Sequence, residues 1–266
     1  MRLSEPLAAS WKASLSLAFA RQGDRSVLTR REHEGPLVVQ KPLYPEGADL
    51  CHAIVVHPPG GIAGGDELAL EVHAAQGSHA LLTTPGAGKW YRSAGAWARQ
   101  SLDFNVAGTL EWLPRETIVF DGALATLDCH IVLMDEARYI GWEIVCLGRR
   151  GSGERFERGR LQISTRVDRQ ERPLFIDKGE IEAGGRLMHS PAGLGGRSVF
   201  GMLIATYDGA RIACPDLAVT QLPGLLVARY LGDSSEQALR AFTALWKLLR
   251  PSVCGRAAVE PRIWST

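Results

Sequence analysis

The sequence predicts a mostly β protein with a small helical end. Three observations carry this: period-two alternation of apolar and polar residues through the first three quarters of the chain, turn-forming residues between the alternating runs, and one helical repeat near the C-terminus. At 266 residues the chain is long enough to bury a sizeable core.

Leu68, Leu70 and Val72 alternate with Glu67, Ala69, Glu71 and His73, and Leu102, Phe104 and Val106 with Ser101, Asp103 and Asn105. The pattern returns at Leu127, Cys129, Ile131 and Leu133, and at Leu161, Ile163, Thr165 and Val167. Successive side chains of an extended backbone point to opposite faces, so each run predicts a half-buried strand. Pro85-Gly86, Ala107-Gly108, Asp121-Gly122 and the glycines at 151 and 153 punctuate the runs. With no helix-length pattern between them, such strands predict an antiparallel or solenoidal architecture instead of βαβ units. Periodicity leaves sandwich, barrel and β-helix open, and no fixed-length repeat favours a regular solenoid.

Ser234 and Gln237 have the spacing of a capping box, and Leu239, Phe242, Leu245, Trp246 and Leu249 recur at helical intervals, predicting a helix over 235–250 that stops at Pro251. A weaker helical pattern over 209–217 is interrupted by Pro215. Residues 179–201, rich in Gly, Ser and Pro, read as a long loop or a segment that orders on binding. The chain is read as a single unit, 1–266, with a β-rich part over about 1–200 and a mixed part over about 201–266 carrying the helix.

Thirty basic and twenty-nine acidic residues leave a formal charge of +1 with no long run of either sign, so nucleic acid is not an expected partner. Residues 1–23 lack an uninterrupted apolar segment and no run is long enough to cross a bilayer, so the expectation is a soluble, unexported, cytoplasmic protein without a membrane partner. Five scattered cysteines without C-x-x-C fit reduced thiols.

Local signatures of chemistry are mostly missing. In TPGAGKWYRS (84–93), Trp90 follows Lys89 and Thr83 stands where a phosphate loop needs its first glycine, so a tight turn between strands is expected. HPPGGIAGGDEL (57–68) is a compact loop that lets the backbone approach a neighbour and ends in Asp66 and Glu67, two hard oxygen ligands. No H-E-x-x-H, G-x-S-x-G or Cys/His metal motif occurs, and no catalytic residue is assigned. Cys51 and His57 share a strand face roughly 20 Å apart, too far for one ion. Glu143 in GWEIVCL and Glu111 in TLEWLP lie inside apolar strands, where an unpaired charge is costly. Each therefore belongs either to an internal ion pair with an arginine or to a hydrophilic interior that passes a cation.

Taken together, GPLVVQKPLYPEG, CHAIVVHPPGGIAGGDEL, LLTTPGAGKWYRS, LEWLPRETIVF, GWEIVCLGR and the closing PRIW resemble, in order and across essentially the whole chain, the UreD (UreH) family of urease accessory proteins. The resemblance implies a β-helical, solenoid-like main domain with a small helical C-terminal part, and a scaffold or chaperone instead of an enzyme. It implies binding to UreF, through UreF to the GTPase UreG, and docking on apo-urease for nickel insertion. It also implies no stably bound cofactor, with nickel in transit along an internal passage past Asp66, Glu67 and Glu143. Where the family usually reads GGIVGGD, this chain has Ala63, which should leave a small gap. Two rivals remain: a β-fold hydrolase using a carboxylate pair such as Asp66 and Glu143, and an assembly module with no metal role.

Overall fold

The computed structural model describes residues 10–134 and 136–265; the first nine residues of the stretch read as lacking an export signal lie outside them. The strands are β1 (Lys12–Gln22), β2 (Arg25–Glu34), β3 (Val38–Val39), β4 (Cys51–Val56), β5 (Glu67–Ala74), β6 (His79–Thr83), β7 (Gly88–Trp90), β8 (Ala98–Val106), β9 (Thr109–Leu113), β10 (Thr117–Val119), β11 (Leu124–Leu133), β12 (Arg138–Leu147), β13 (Arg160–Arg169), β14 (Arg172–Glu182), β15 (Val199–Thr206), β16 (Ala218–Leu222) and β17 (Leu225–Gly232). Among the described residues two α-helices accompany them, α1 (Arg186–His189) and α2 (Ser235–Cys254).

These strands form two open sheets that share a core, and neither closes into a barrel. The first runs β14-β13-β11-β8-β5-β1-β2 and the second β16-β17-β15-β12-β9-β6-β4-β3, with β10 beside β12 and β7. From β4 to β13 the chain passes back and forth between the two sheets, with β6–β7 and β9–β10 successive in the second, and the main strands of each sheet pair in parallel. Antiparallel pairs finish the edges, β1 with β2 and β13 with β14 in the first sheet, and β12-β15-β17-β16 in the second.

Parallel register stacks the predicted apolar positions into rows. Leu17, Val72, Phe104, Ile131 and Val167 form one continuous inward row of the first sheet. The next row reads Leu15, Leu70, Leu102, Cys129, Thr165 and Asp177, so it grows polar toward the β14 edge.

The second sheet buries its other face under α2. Ser234 accepts a hydrogen bond from the Gln237 backbone N–H at 3.2 Å, the capping interaction expected from its spacing. Phe242, Leu245, Trp246 and Leu249 are fully buried against Leu81, Leu113, Trp142 and Ile144. The helix runs past the expected stop to Cys254, because Pro251 lies in its last turn, where a missing N–H removes one bond only. Gly255 then ends it in the left-handed conformation, φ 69°.

Two further expectations are corrected. Residues 179–201 are not one loop: Gly179 pairs with Ile163 inside β14, Gly201 pairs with Ile144 inside β15, and only the connection between them holds turns and α1. Ladder pairing overrides the turn tendency of those glycines. Residues 209–217 form no helix; they are irregular, with a single bridge between Cys214 and Leu217, as Pro215 would impose.

Candidate functional site between the sheets

Glu111 and Glu143 sit on neighbouring strands, β9 and β12, and point to opposite faces of the second sheet. Glu111 faces α2 and is fully buried. Its Oε1 lies 2.8 Å from His79 Nε2, its Oε2 accepts from Trp246 Nε1 at 2.7 Å, and Arg250 donates to both oxygens. Arg250 also reaches Glu46, which lies 3.0 Å from His52 Nε2. Burial alone would raise the pKa of Glu46, yet the hydrogen bonds from His52 and Arg250 outweigh it and hold the group at about 2. The same competition, won by His79 and Arg250, lowers that of Glu111. Glu111 is thus the internal ion pair anticipated for such a carboxylate.

Glu143 faces the space between the sheets, and among the described residues it has no ion pair. Trp112 Nε1 donates to it at 2.7 Å. Burial pushes its pKa up to about 7, and the Trp112 bond offsets only part of that. Two cavities, of about 290 Å³ and about 740 Å³, lie between the sheets, and both are lined by Gln100, Leu102 and Glu143. The half-buried carboxylate therefore stands at their junction.

Local sequence explains the opening there. Trp112 on β9 pairs with Gly141, and Thr117 on β10 pairs with Val145, so the row of Glu143 falls where β9 has ended at Leu113 and β10 has not begun. Pro114 occupies that gap and cannot donate to a ladder. Pro114, Arg115 and Thr117 line the smaller cavity as a result. At the far end of the larger cavity Asp177 of β14 and Arg229 of β17 pair across the two sheets at 2.9 Å.

Asp66 and Glu67 lie elsewhere. Asp66 is buried, and its two oxygens accept from the backbone N–H groups of Trp11 and Ala63, each at 2.7 Å. It locks the Gly-rich loop to the start of β1. Glu67 is exposed on the outer face of the first sheet and pairs with Lys12 at 3.8 Å. Neither lines the two cavities that meet at Glu143, so neither joins it, and the acid–base pair of Asp66 with Glu143 does not form. Ala63 is exposed, so its small side chain leaves no gap. The loop does bring backbone against neighbours: a Cβ on Gly61 would lie 2.1 Å from the Tyr91 ring, and one on Gly64 2.4 Å from Ser93 Oγ.

Residues 84–93 hold a turn between β6 and β7, as expected, and Thr84 to Lys89 border the smaller cavity. One cavity residue escapes the sequence reading, and another is weighed there only as a metal ligand. Gln100 occupies an inward position of β8, between Ala98 and Leu102, where alternation extended one step further would have flagged a polar residue. His57 borders the smaller cavity with its Nε2 buried and unpaired, and burial, partly offset by the charge of Asp66, lowers its pKa. The sequence reading sets His57 aside as too far from Cys51 to share an ion.

The UreD urease accessory protein family model matches residues 12–265. The chain is 50% identical to the urease accessory protein UreD of Dechloromonas aromatica, covering 97% of this chain and 95% of that one. It is 51% identical to its namesake in Azoarcus sp. (96% and 94% covered) and 48% identical to that of Pseudomonas fluorescens Pf0-1 (97% and 96%).

Proposed function

Because the chain belongs to the UreD family of urease accessory proteins, we propose that it is the scaffold through which nickel reaches apo-urease, acting in the cytoplasm with UreF and, through UreF, with the GTPase UreG. An accessory role in urease maturation is non-catalytic, and the chain is not an enzyme. The observation that carries the nickel reading is Glu143, a carboxylate without a cation partner among the described residues, at the junction of two inter-sheet cavities. Oxygen donors hold nickel more weakly than thiolate or imidazole, and a conduit must release its cargo. Glu143 is the one group of the expected three that this reading retains; Asp66 serves it by holding the loop that borders the smaller cavity, and Glu67 has no part in it.

The β-helical reading of the main part, to about residue 200, is supported by the alternation of the chain between two parallel-stranded sheets. The remainder, with α2, closes its outer face. Among the described residues no helix is long and apolar enough to cross a membrane.

Co-expression with the urease subunits, UreF and UreG tests the proposal. Glu143→Ala should leave co-elution with UreF intact while lowering nickel per urease active site and activity in proportion. Unchanged nickel content with the complex intact would reduce the role to assembly without metal transfer.

A further inference from the structure

The buried cluster beneath α2 shares one guanidinium between two carboxylates. Glu46 and Glu111 share the single guanidinium of Arg250, and all three side chains are at most 4% exposed. The nearby Arg256 is matched by Asp49, to which it donates. His52 and His79 carry charge only when protonated.

Beside that cluster lie three potential ligands. His79, Glu111 and Cys254 each present one donor atom, and the three atoms fall within 4.8 Å of one another. Bonds of about 2.0–2.3 Å in a tetrahedral site bring ligand atoms roughly 3.3–3.6 Å apart, so side-chain adjustment of about an ångström would close the set. Trp246 and Arg250 already fix the Glu111 carboxylate by hydrogen bonds, as outer partners of a metal ligand do. Cys254 is the last residue of α2, and the negative end of a helix dipole favours a cation. His79 and Cys254 also line a cavity of about 370 Å³, which gives room for a water as fourth ligand.

We propose that His79, Glu111 and Cys254 bind a borderline-soft divalent ion of the zinc, cobalt or nickel class at the C-terminal end of α2. Binding displaces one proton from the Cys254 thiol to solvent; the proton between His79 and Glu111 shifts to the other ring nitrogen of the imidazole, and two metal bonds replace that hydrogen bond, with no electron transferred. The charges then balance: the ion brings +2, the thiolate −1, the two carboxylates −2 and Arg250 +1. This site faces α2, on the opposite side of the second sheet from Glu143, and does not depend on the nickel passage.

Cobalt(II) titrated into the reduced, chelator-treated full-length chain tests it. The expected result is one equivalent bound, with a thiolate-to-cobalt charge-transfer band that zinc or nickel then displaces. Cys254→Ser should abolish the band, and His79→Gln, which keeps a donor toward Glu111, should weaken binding tenfold or more. Cys214→Ser, outside the trio, should change neither. Circular dichroism of each variant confirms folding. Absence of the band in the wild-type chain overturns the site, as does its survival in folded Cys254→Ser. Should Cys254→Ser fail to fold, unchanged cobalt affinity in His79→Gln overturns it equally.

Discussion

Two glutamates on neighbouring strands show how environment assigns the role of a residue. Glu111 is ionised and held by a guanidinium, an indole and an imidazole, whereas Glu143 meets one indole N–H and a pKa raised to about 7. Below pH ~4.5 both folded and unfolded chains hold the Glu143 proton. Between ~4.5 and 7 only the folded chain does, so stability falls as pH rises, and above 7 the whole penalty is present. Glu143→Gln keeps an acceptor for Trp112 and removes the titration. Denaturant unfolding should show it matching the wild type below pH 4.5 and exceeding it by up to roughly 3 kcal/mol above pH 7, while urease activation declines. Equal stabilities at pH 8 would contradict this account of Glu143. Asp66 makes the opposite case, since its carboxylate stabilises. Asp66→Ala strands the N–H groups of Trp11 and Ala63, and should cost about 1–3 kcal/mol in thermal or chemical unfolding.

At the scale of the element, α2 is amphipathic, and its two faces should respond differently. Leu245 is fully buried against the second sheet and Leu248 is 63% exposed. Leu245→Ala should cost about 2–5 kcal/mol through lost burial and the cavity left behind. Leu248→Ala should stay within about 0.5 kcal/mol. Urea midpoints of the two variants provide the comparison, and equal losses would show that the helix does not dock by this stripe. Strands β9 and β10 show the reverse influence of local sequence on structure. Pro114 interrupts a ladder that would otherwise run continuously beside β12, and the interruption leaves room at Glu143.

At the scale of the whole molecule, Arg250 joins three distant segments. It binds Glu111, 139 residues earlier, and Glu46, 204 residues earlier, so one side chain ties α2 to β9 and to the loop before β4. Arg250→Met leaves two buried carboxylates without their cation and should cost about 3–5 kcal/mol near neutral pH. The sign with pH follows from the lowered pKa values of Glu46 and Glu111. Their contribution is present above ~4.5 and lost as pH falls toward 2. The gap between wild type and Arg250→Met, measured by unfolding over that range, should therefore narrow on acidification.

Alternation alone identified the strands and their faces: Leu68, Leu70 and Val72 are buried and Glu67, Ala69 and Glu71 exposed, because a period of two is a property of the backbone. The helix start was legible for the same reason, since Ser234 and Gln237 interact within one turn. Local sequence could not tell which strand lies beside which. Parallel pairing joins residues some 25 to 60 positions apart, as Leu15 with Leu70 or Leu102 with Cys129, and no local propensity encodes that choice. It also could not tell Glu111 from Glu143. Both are carboxylates within apolar strands, and only packing gave one of them Arg250 and set the other between two cavities. Asp66, drawn from a motif as a ligand, became a lock on its own loop once Trp11 and Ala63 were brought to it. The sequence by itself determined periodicity, caps, turns and family, all of which depend on neighbours along the chain. Tertiary structure decided charge pairing and the placement of the cavities, because burial and ionisation depend on neighbours in space.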